Sequence, residues 1–172
     1  MESNRSLSVT FVGGARKVTG SNFLVEAKEG EKVVRVVIDS GLEQGERFCE
    51  SQNVEPFPYD PQTVDAVFVT HAHADHIGLL PKLVKEGYRG NIYATAATTD
   101  LIPIMLDDSV SIIAREAKQC GEEPPYVRED VGRLDERLVP TSLNESVTVT
   151  PGVTATLYNA GHILGSALVL LD

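Results

Sequence analysis

The fold is decided by the stretch His71-Ala72-His73-Ala74-Asp75-His76. An apolar, β-branched run at residues 64–70 comes directly before it and predicts a buried strand. Residues 77–87 follow it and carry leucine and valine on one side, which predicts a helix. The cluster therefore lies in the turn between the end of a strand and the start of a helix.

The cluster favours a divalent metal over a packed core. His71 and His73 are two residues apart, so in an extended chain their side chains project to the same side. Asp75 and His76 follow where the chain turns, and we expect them to face a second ion. Imidazole with carboxylate suits zinc, with iron or manganese as alternatives. The plainer alternative is a set of solvated histidines before a helix, but such a cluster is costly to place without a ligand.

The fourth histidine of the chain, His162, lies far from this cluster in the sequence. Its surroundings are Asn159-Ala160-Gly161-His162-Ile163-Leu164-Gly165-Ser166-Ala167, again just after a strand-like run. Glycines flank this histidine and allow close approach of the backbone to a site, although ordinary turn geometry accounts for them equally well.

These motifs resemble a known family. His-x-His-x-Asp-His after an apolar strand is similar to the metal motif of the metallo-β-lactamase fold. The segment 161–167 resembles the third motif of its β-CASP branch, the RNA-processing nucleases that include bacterial ribonucleases and the eukaryotic cleavage-and-polyadenylation endonuclease. Residues 11–21 and 37–41 also look like the amino-terminal part of that branch. The resemblance covers almost all of the 172 residues.

The resemblance implies an α/β (α+β) fold, the αββα sandwich of the metallo-β-lactamase type. In the family, a Gly-Asp pair, a β-CASP cap domain and a last histidine ligand would follow. None of these is found in residues 1–172, so we expect the chain to be the amino-terminal part of a metallo-β-lactamase domain in a longer protein. In the family, the aspartate of that Gly-Asp pair bridges the two metal ions. Asp172 falls one strand too early to be this aspartate, and we expect it to face solvent.

The resemblance also implies the ligands of the metal site. His71, His73 and His162 would hold one zinc ion. Asp75 and His76 would hold the second and would serve in catalysis. Two zinc ions are implied in the full-length protein. This chain supplies only two ligands for the second ion, so we expect one metal or none here.

Asp39 ends a predicted strand and precedes Ser40-Gly41. An aspartate that caps a turn is a common reason for such a residue. The resemblance implies a different task, a carboxylate that orients the metal loop by hydrogen bonding. The two interpretations are compatible.

The function that the resemblance implies is hydrolysis of RNA phosphodiesters through a metal-activated hydroxide in the full-length protein, with little or no activity in this part alone. One alternative is a hydrolase of the same fold that acts on thioesters, lactones or β-lactams. Another is a non-catalytic scaffold subunit of an RNA-processing complex. Ile163-Leu164, where DNA-repair members of the branch tend to carry Cys-Pro, favours RNA.

Composition limits the partners. The net charge is −10, from 15 basic and 25 acidic residues, so this chain by itself does not predict a strong nucleic-acid surface. No stretch predicts a signal peptide or a membrane span. Cys49 and Cys120 lie far apart, and we expect free thiols in a reducing cytoplasm. An exposed last strand makes homo-oligomers possible.

The remaining chain predicts alternating strands and helices. The first three strands predict an antiparallel meander, and Pro151-Gly152 predicts a hairpin turn. Thr95 is expected to cap a long helix that Pro103 interrupts. Strands are predicted at residues 7–12, 22–27, 32–38, 91–94, 146–150, 153–158 and 167–171, and helices at 96–120, 128–138 and, within a proline-bearing loop at 42–61, at 46–50.

Overall fold

The computed structural model describes residues 5–45 and 47–172. The strands are β1 (Arg5–Gly13), β2 (Asn22–Glu29), β3 (Lys32–Ile38), β4 (Ala66–Phe68), β5 (Ile92–Thr95), β6 (Leu138–Thr141), β7 (Ser146–Thr150), β8 (Val153–Asn159) and β9 (Ala167–Leu171). The helices are α1 (Ala74–Ile77), α2 (Leu80–Lys85), α3 (Ala96–Cys120) and α4 (Arg128–Asp135), with single 3-10 turns at Phe48–Glu50 and Pro61–Thr63.

The strands form two sheets. The larger sheet has the order β1-β2-β3-β4-β5-β6, and the smaller one has the order β7-β8-β9. Strands β1 to β3 are antiparallel, as the predicted meander requires, whereas β3 to β6 run parallel. The predicted hairpin joins β7 to β8. The carboxyl ends of β3 and β4 lie side by side, so the residues that follow them meet at one edge of the sheet.

Each face of the larger sheet packs against a separate core. One face packs against the helices, and its buried residues include Val37, Val67 and Ile102. The other face packs against the smaller sheet, and its buried residues include Val36, Phe68 and Leu157. Because β3 and β4 supply residues to both cores, their sequences are largely continuous apolar runs and do not alternate between apolar and polar residues. The fold is the mixed α/β sandwich that the sequence predicts.

The helix predicted at residues 77–87 is interrupted in the structure. It forms two short helices, α1 and α2, with a break at Gly78 and Leu79. Pro81 lies in the first turn of α2, where its missing N–H is harmless, but the same residue in a continuous helix would remove a hydrogen bond. The break also lets the Leu79 N–H donate to the Ser40 carbonyl, at 2.8 Å.

One other helix boundary and one predicted interruption differ from the structure. The helix predicted at 128–138 ends at Asp135, because Leu138 begins β6 and pairs with β5. Pro140 in that strand is tolerated because β6 is the edge of the sheet. By contrast, α3 runs through Pro103 without interruption and is capped by the Thr95 side chain, as predicted. None of the helices in the described ranges has the length and apolarity that a membrane crossing requires.

Cys49 and Cys120 form a disulfide, with Cα atoms 5.6 Å apart. The prediction of two free thiols is therefore wrong. The 3-10 turn Phe48–Glu50 lies against α3 and brings the cysteines together across a sequence separation of 71 residues, which no short-range pattern reveals. Glu46, the first residue of the short helix predicted at 46–50, lies outside the described residues, as do residues 1–4.

Candidate metal centre

The first two histidines follow the end of β4 in extended backbone. His71 is buried, with 8% of its surface exposed, and His73 is half-buried immediately before α1. Buried, apolar β4 fixes the position of this segment, and α1 turns the chain so that Asp75 and His76 remain at the same edge. The cluster therefore lies at the carboxyl edge of the parallel strands, where such sheets place their sites.

The structure brings His71, His73 and His162 together. Their nitrogens all lie within 4.8 Å of one another. His71 Nε2 is 3.1 Å from His73 Nδ1, and His162 Nε2 is 3.3 Å from the same Nδ1. Nitrogens bound tetrahedrally to zinc at its usual bond length lie about 3.3 Å apart, so these separations fit one such ion with an open fourth position.

The loop that carries His162 is fixed at both ends. The Ala167 N–H donates to the Thr70 carbonyl at 2.8 Å, which joins the loop to the residue before the metal motif. The Ser166 hydroxyl oxygen accepts from the backbone N–H of His162, at 3.0 Å. His162 itself is exposed, so backbone anchoring rather than side-chain packing sets its position.

The start of α3 also holds this loop. The hydroxyls of Thr95 and Thr98 donate to the Gly165 carbonyl at 2.6 and 3.0 Å. Gly165 has a φ of +80°, and a Cβ at this position would lie 2.7 Å from both hydroxyl oxygens. A glycine is therefore required here, both by the backbone conformation and by the close approach of the threonines.

Asp39 is buried at the centre of the hydrogen bonds beneath the cluster, with 1% of its surface exposed. Its Oδ1 accepts from the Thr70 backbone N–H at 2.8 Å. Its Oδ2 lies 2.7 Å from both the Thr70 hydroxyl oxygen and His76 Nδ1. Asp39 also adopts a left-handed backbone conformation with a φ of +60°, one that aspartate tolerates better than most residues. It thus serves as a turn residue and as a partner of the cluster at once.

Backbone hydrogen bonds hold the metal loop from below. The N–H groups of Ser21, Ser40 and Leu42 donate to the carbonyls of Asp75, His76 and Ala74, respectively, at 2.8 to 2.9 Å. Gly41 lies against this loop so closely that an added Cβ would be 1.6 Å from the Asp75 carbonyl oxygen. The segments after β1 and β3 therefore position the loop without any metal.

Asp75 and His76 form a second, adjacent pair. His76 Nε2 lies 3.7 Å from Asp75 Oδ2, and the rings of His71 and His76 have centroids 4.0 Å apart. Both side chains are partly exposed. Among the described residues, only His71, His73 and His162 have donor atoms close enough to one another to bind the same ion. Asp75 and His76 are not part of that group.

Burial sets the charge state of the first histidine. Burial, reinforced by the neighbouring imidazoles, lowers the pKa of His71 to about 4, so this ring is neutral at pH 7. Neutral imidazole is the form that binds a metal ion. Burial also lowers the pKa of His76, but the hydrogen bond and charge of Asp39 outweigh it and the net shift is upward. Burial raises the pKa of Asp39, whereas the donors from Thr70 and His76 act in the opposite direction.

Sequence reasoning missed several residues that build the site. Thr70, Ser166 and the two threonines Thr95 and Thr98 were not predicted as site residues, because none of them is itself a predicted metal ligand. Thr70 had one usable signal, because it directly precedes the first histidine at the end of a buried strand. The threonines of α3 had none, since they lie 67 to 70 residues from the glycine that they contact.

The fold and the three-histidine centre define a class. A family model described as the metallo-beta-lactamase superfamily matches residues 16–165. The chain therefore belongs to the metallo-β-lactamase superfamily, and the resemblance found in its motifs is confirmed. Among solved structures, a flavo di-iron protein variant from Thermotoga maritima has a TM-score of 0.51 at 15% identity, over 89% of this chain and 32% of that one. This likeness shows the fold alone.

Two curated relatives are more similar in sequence. Ribonuclease TTHA0252 of Thermus thermophilus is 42% identical over 158 residues, which is 92% of this chain and 33% of that protein. Transcription termination factor FttA of Methanosarcina mazei is 37% identical over 165 residues, which is 93% of this chain and 24% of that protein. The chain thus spans between a quarter and a third of the length of these relatives.

Proposed function

We propose that this chain carries the metal centre of a zinc-dependent ribonuclease of the β-CASP branch, which cleaves RNA phosphodiesters in the full-length protein. The observation that supports this most directly is the convergence of His71, His73 and His162, with separations that fit one tetrahedral zinc ion. Superfamily membership supports metal-dependent hydrolysis. The names of the relatives, a ribonuclease and a transcription termination factor, support RNA as the substrate.

The residues of the chain have separate tasks in this proposal. A bound metal ion supplies the Lewis acidity that phosphodiester hydrolysis requires. His71, His73 and His162 would hold the first ion, and the nitrogens that face one another are Nε2, Nδ1 and Nε2, respectively. Asp75 and His76 lie beside them and would hold a second ion only weakly, since two ligands are too few. The Asp75 carboxylate is partly exposed and would be free to accept a hydrogen bond from the attacking water.

The charge of the chain limits what it does alone. With a net charge of −10 it offers little attraction for a polyanion. In proteins of the relatives' length, other segments have room for a basic RNA-binding groove and for the missing ligands. We therefore propose that residues 1–172 are the amino-terminal part of the catalytic domain. We propose the cytoplasm because RNA is the proposed substrate; the Cys49–Cys120 disulfide is a bond that reducing compartments seldom hold, and it counts against this assignment. Self-association stays a prediction.

The test compares substrates and variants on the 172-residue chain. We expect at most slow, zinc-dependent cleavage of an end-labelled single-stranded RNA, and His73→Ala should abolish any cleavage that is seen. A β-lactam and a thioester serve as competing substrates, since hydrolases of the same fold act on these. Faster hydrolysis of either competitor than of RNA would show that the substrate class is wrong. Isothermal titration of the metal-free chain should give at most one equivalent of tightly bound zinc, and two tight equivalents would contradict the proposed ligand sets.

A further inference from the structure

The hydroxyl of Thr70 lies between the buried aspartate and two of the histidines. Its oxygen is 2.7 Å from Asp39 Oδ2, 3.0 Å from His71 Nδ1 and 3.3 Å from His76 Nδ1. Thr70 is not one of the metal-ligating residues, and the resemblance assigns it no task. Its hydroxyl nevertheless contacts the rings that would hold both ions.

The number of protons available determines the direction of these hydrogen bonds. A hydroxyl has a single proton to donate, and a carboxylate has none. The Thr70 proton is therefore directed to Asp39, and the hydroxyl oxygen is left to accept from His71 Nδ1–H. With its proton on Nδ1, the His71 ring has a free electron pair on Nε2, the atom that lies 3.1 Å from His73 Nδ1.

The tautomer of the second ring, His76, is fixed by the same carboxylate, but through a direct hydrogen bond. His76 Nδ1 lies 2.7 Å from Asp39 Oδ2, so it donates its proton there. The free electron pair of His76 is then on Nε2, the atom nearest Asp75 Oδ2 at 3.7 Å. One buried carboxylate thus selects the tautomers of two rings, one by contact and the other through a hydroxyl.

We propose that Thr70 is a positioning residue that relays the acceptor of Asp39 to His71 and thereby holds the His71 ring in the Nδ1–H tautomer, ready to bind a metal through Nε2. The inference rests on the proposed metal site. It assigns to Thr70 the task that carboxylates or carbonyls perform in many metal sites, where the second nitrogen of a ligating histidine is fixed by a hydrogen bond.

The hydroxyl is separable from the other contacts of Thr70. The Thr70 N–H donates to Asp39 Oδ1, and the Thr70 carbonyl accepts from the Ala167 N–H, each at 2.8 Å. Both bonds involve only the backbone of Thr70. Thr70→Val therefore removes the relay while retaining shape and backbone bonds, and Thr70→Ser retains the hydroxyl. Thr141→Val is a matched control, because Thr141 is also buried and, among the described residues, its hydroxyl bonds only to the Val139 carbonyl.

The experiment reads the tautomers without any metal. Long-range ¹H–¹⁵N correlation spectra of the metal-free, ¹⁵N-histidine-labelled chain distinguish Nδ1–H from Nε2–H rings, and His71→Gln and His76→Gln assign the signals. At a pH high enough to keep both rings neutral, we expect both as Nδ1–H in the unmodified chain. In Thr70→Val, His71 should become a tautomer mixture while His76 stays Nδ1–H. Thr70→Ser and Thr141→Val should leave both rings unchanged.

Zinc titration provides the second measurement. Thr70→Val should weaken zinc binding about 10- to 100-fold, the usual effect of losing a hydrogen bond to a ligating histidine, while Thr70→Ser and Thr141→Val bind like the unmodified chain. An Nε2–H ring at His71 in the unmodified chain, or an unchanged His71 tautomer in Thr70→Val, would overturn the relay. Because the spectra need no metal, they test the relay even if the chain binds no zinc, an outcome that would count against the proposed function instead.

Discussion

His162 Nε2 lies 3.3 Å from His73 Nδ1, although 89 residues separate the two histidines in the chain. The contact brings together a loop after β8 and a loop after β4 at one edge of the larger sheet. The assignment of the metal centre depends on this contact. His71 and His73 lie in one short stretch, and His162 supplies the third donor.

His162→Ala tests this triangle. The substitution leaves two imidazoles, too few to hold zinc tightly, and we expect the affinity measured by isothermal titration to fall by more than about 100-fold, beyond the effect of losing a supporting hydrogen bond. His162 is exposed, so thermal unfolding of the metal-free chain should not change. Zinc affinity equal to that of the unmodified chain would place the site elsewhere.

Asp39→Asn tests the carboxylate beneath the cluster. Asparagine tolerates the left-handed backbone at this position. Its side chain has one acceptor oxygen and one NH2 donor, so it cannot accept hydrogen bonds at both positions where the carboxylate of Asp39 does. We expect zinc affinity to fall about 10- to 100-fold and the free energy of unfolding to fall by about 1–3 kcal/mol, because buried donors lose their acceptor.

Asp65→Asn is the matched control for this change. Asp65 also accepts from a backbone N–H, that of Arg35, but at an exposed position away from the histidines. Its substitution should leave zinc affinity unchanged. If both variants bind zinc equally well, the carboxylate of Asp39 has no part in holding the site.

Gly165→Ala tests the anchoring of the His162 loop on α3. An added Cβ would lie 2.7 Å from the hydroxyls of Thr95 and Thr98 and would displace the loop. Gly161→Ala is the comparison, because Gly161 also has a positive φ, of +69°, but in the described part of the chain nothing lies within 4 Å of a Cβ added there. Thermal or denaturant unfolding should show a loss of about 1–2 kcal/mol for Gly161→Ala, the cost of the backbone conformation, and a larger loss for Gly165→Ala. Equal losses of unfolding free energy in the two variants would mean that the threonine hydroxyls move away from the added Cβ at Gly165 without destabilising the fold.

Cys120→Ser tests the disulfide. The purified chain should show no thiol that reacts with a thiol reagent before reduction, whereas reduction should expose two, Cys49 and Cys120. Removing the bond should lower the free energy of unfolding by about 2–5 kcal/mol, since it closes a long loop. A chain that is equally stable with and without a reducing agent would contradict a stabilising bond.

The sequence carries a clear signal for the proposed site because that signal is local. Four of the five proposed ligands lie within residues 71–76, where composition and spacing act together, and the flanking strand follows from its apolar run. His162 came from its motif and from the resemblance. The contact that joins it to the cluster is a property of the fold, and no spacing rule gives it.

Two of the misses, the disulfide and the early end of the helix predicted at 128–138, share one physical cause, which is that long-range contacts decided them. The disulfide depends on the packing of the turn Phe48–Glu50 against α3. Strand β6 exists because β5 is available to pair with it, against the helical tendency of the segment after α4. The leucines and charged residues at 134–138 are as compatible with a continuing helix as with a helix that ends there. Only the pairing of β6 with β5 decides between these two possibilities.

The loop after β8 is held by Thr70, by Ser166 and by the two threonines of α3, and the loop after β4 is held by backbone N–H groups from two other segments. The donors are thus preorganised, and an arriving ion pays little conformational entropy to gather them. If the proposed metal centre is correct, we expect it to select by donor type as well as geometry. Three imidazoles should favour zinc-like ions over calcium, which needs more and longer contacts to oxygen.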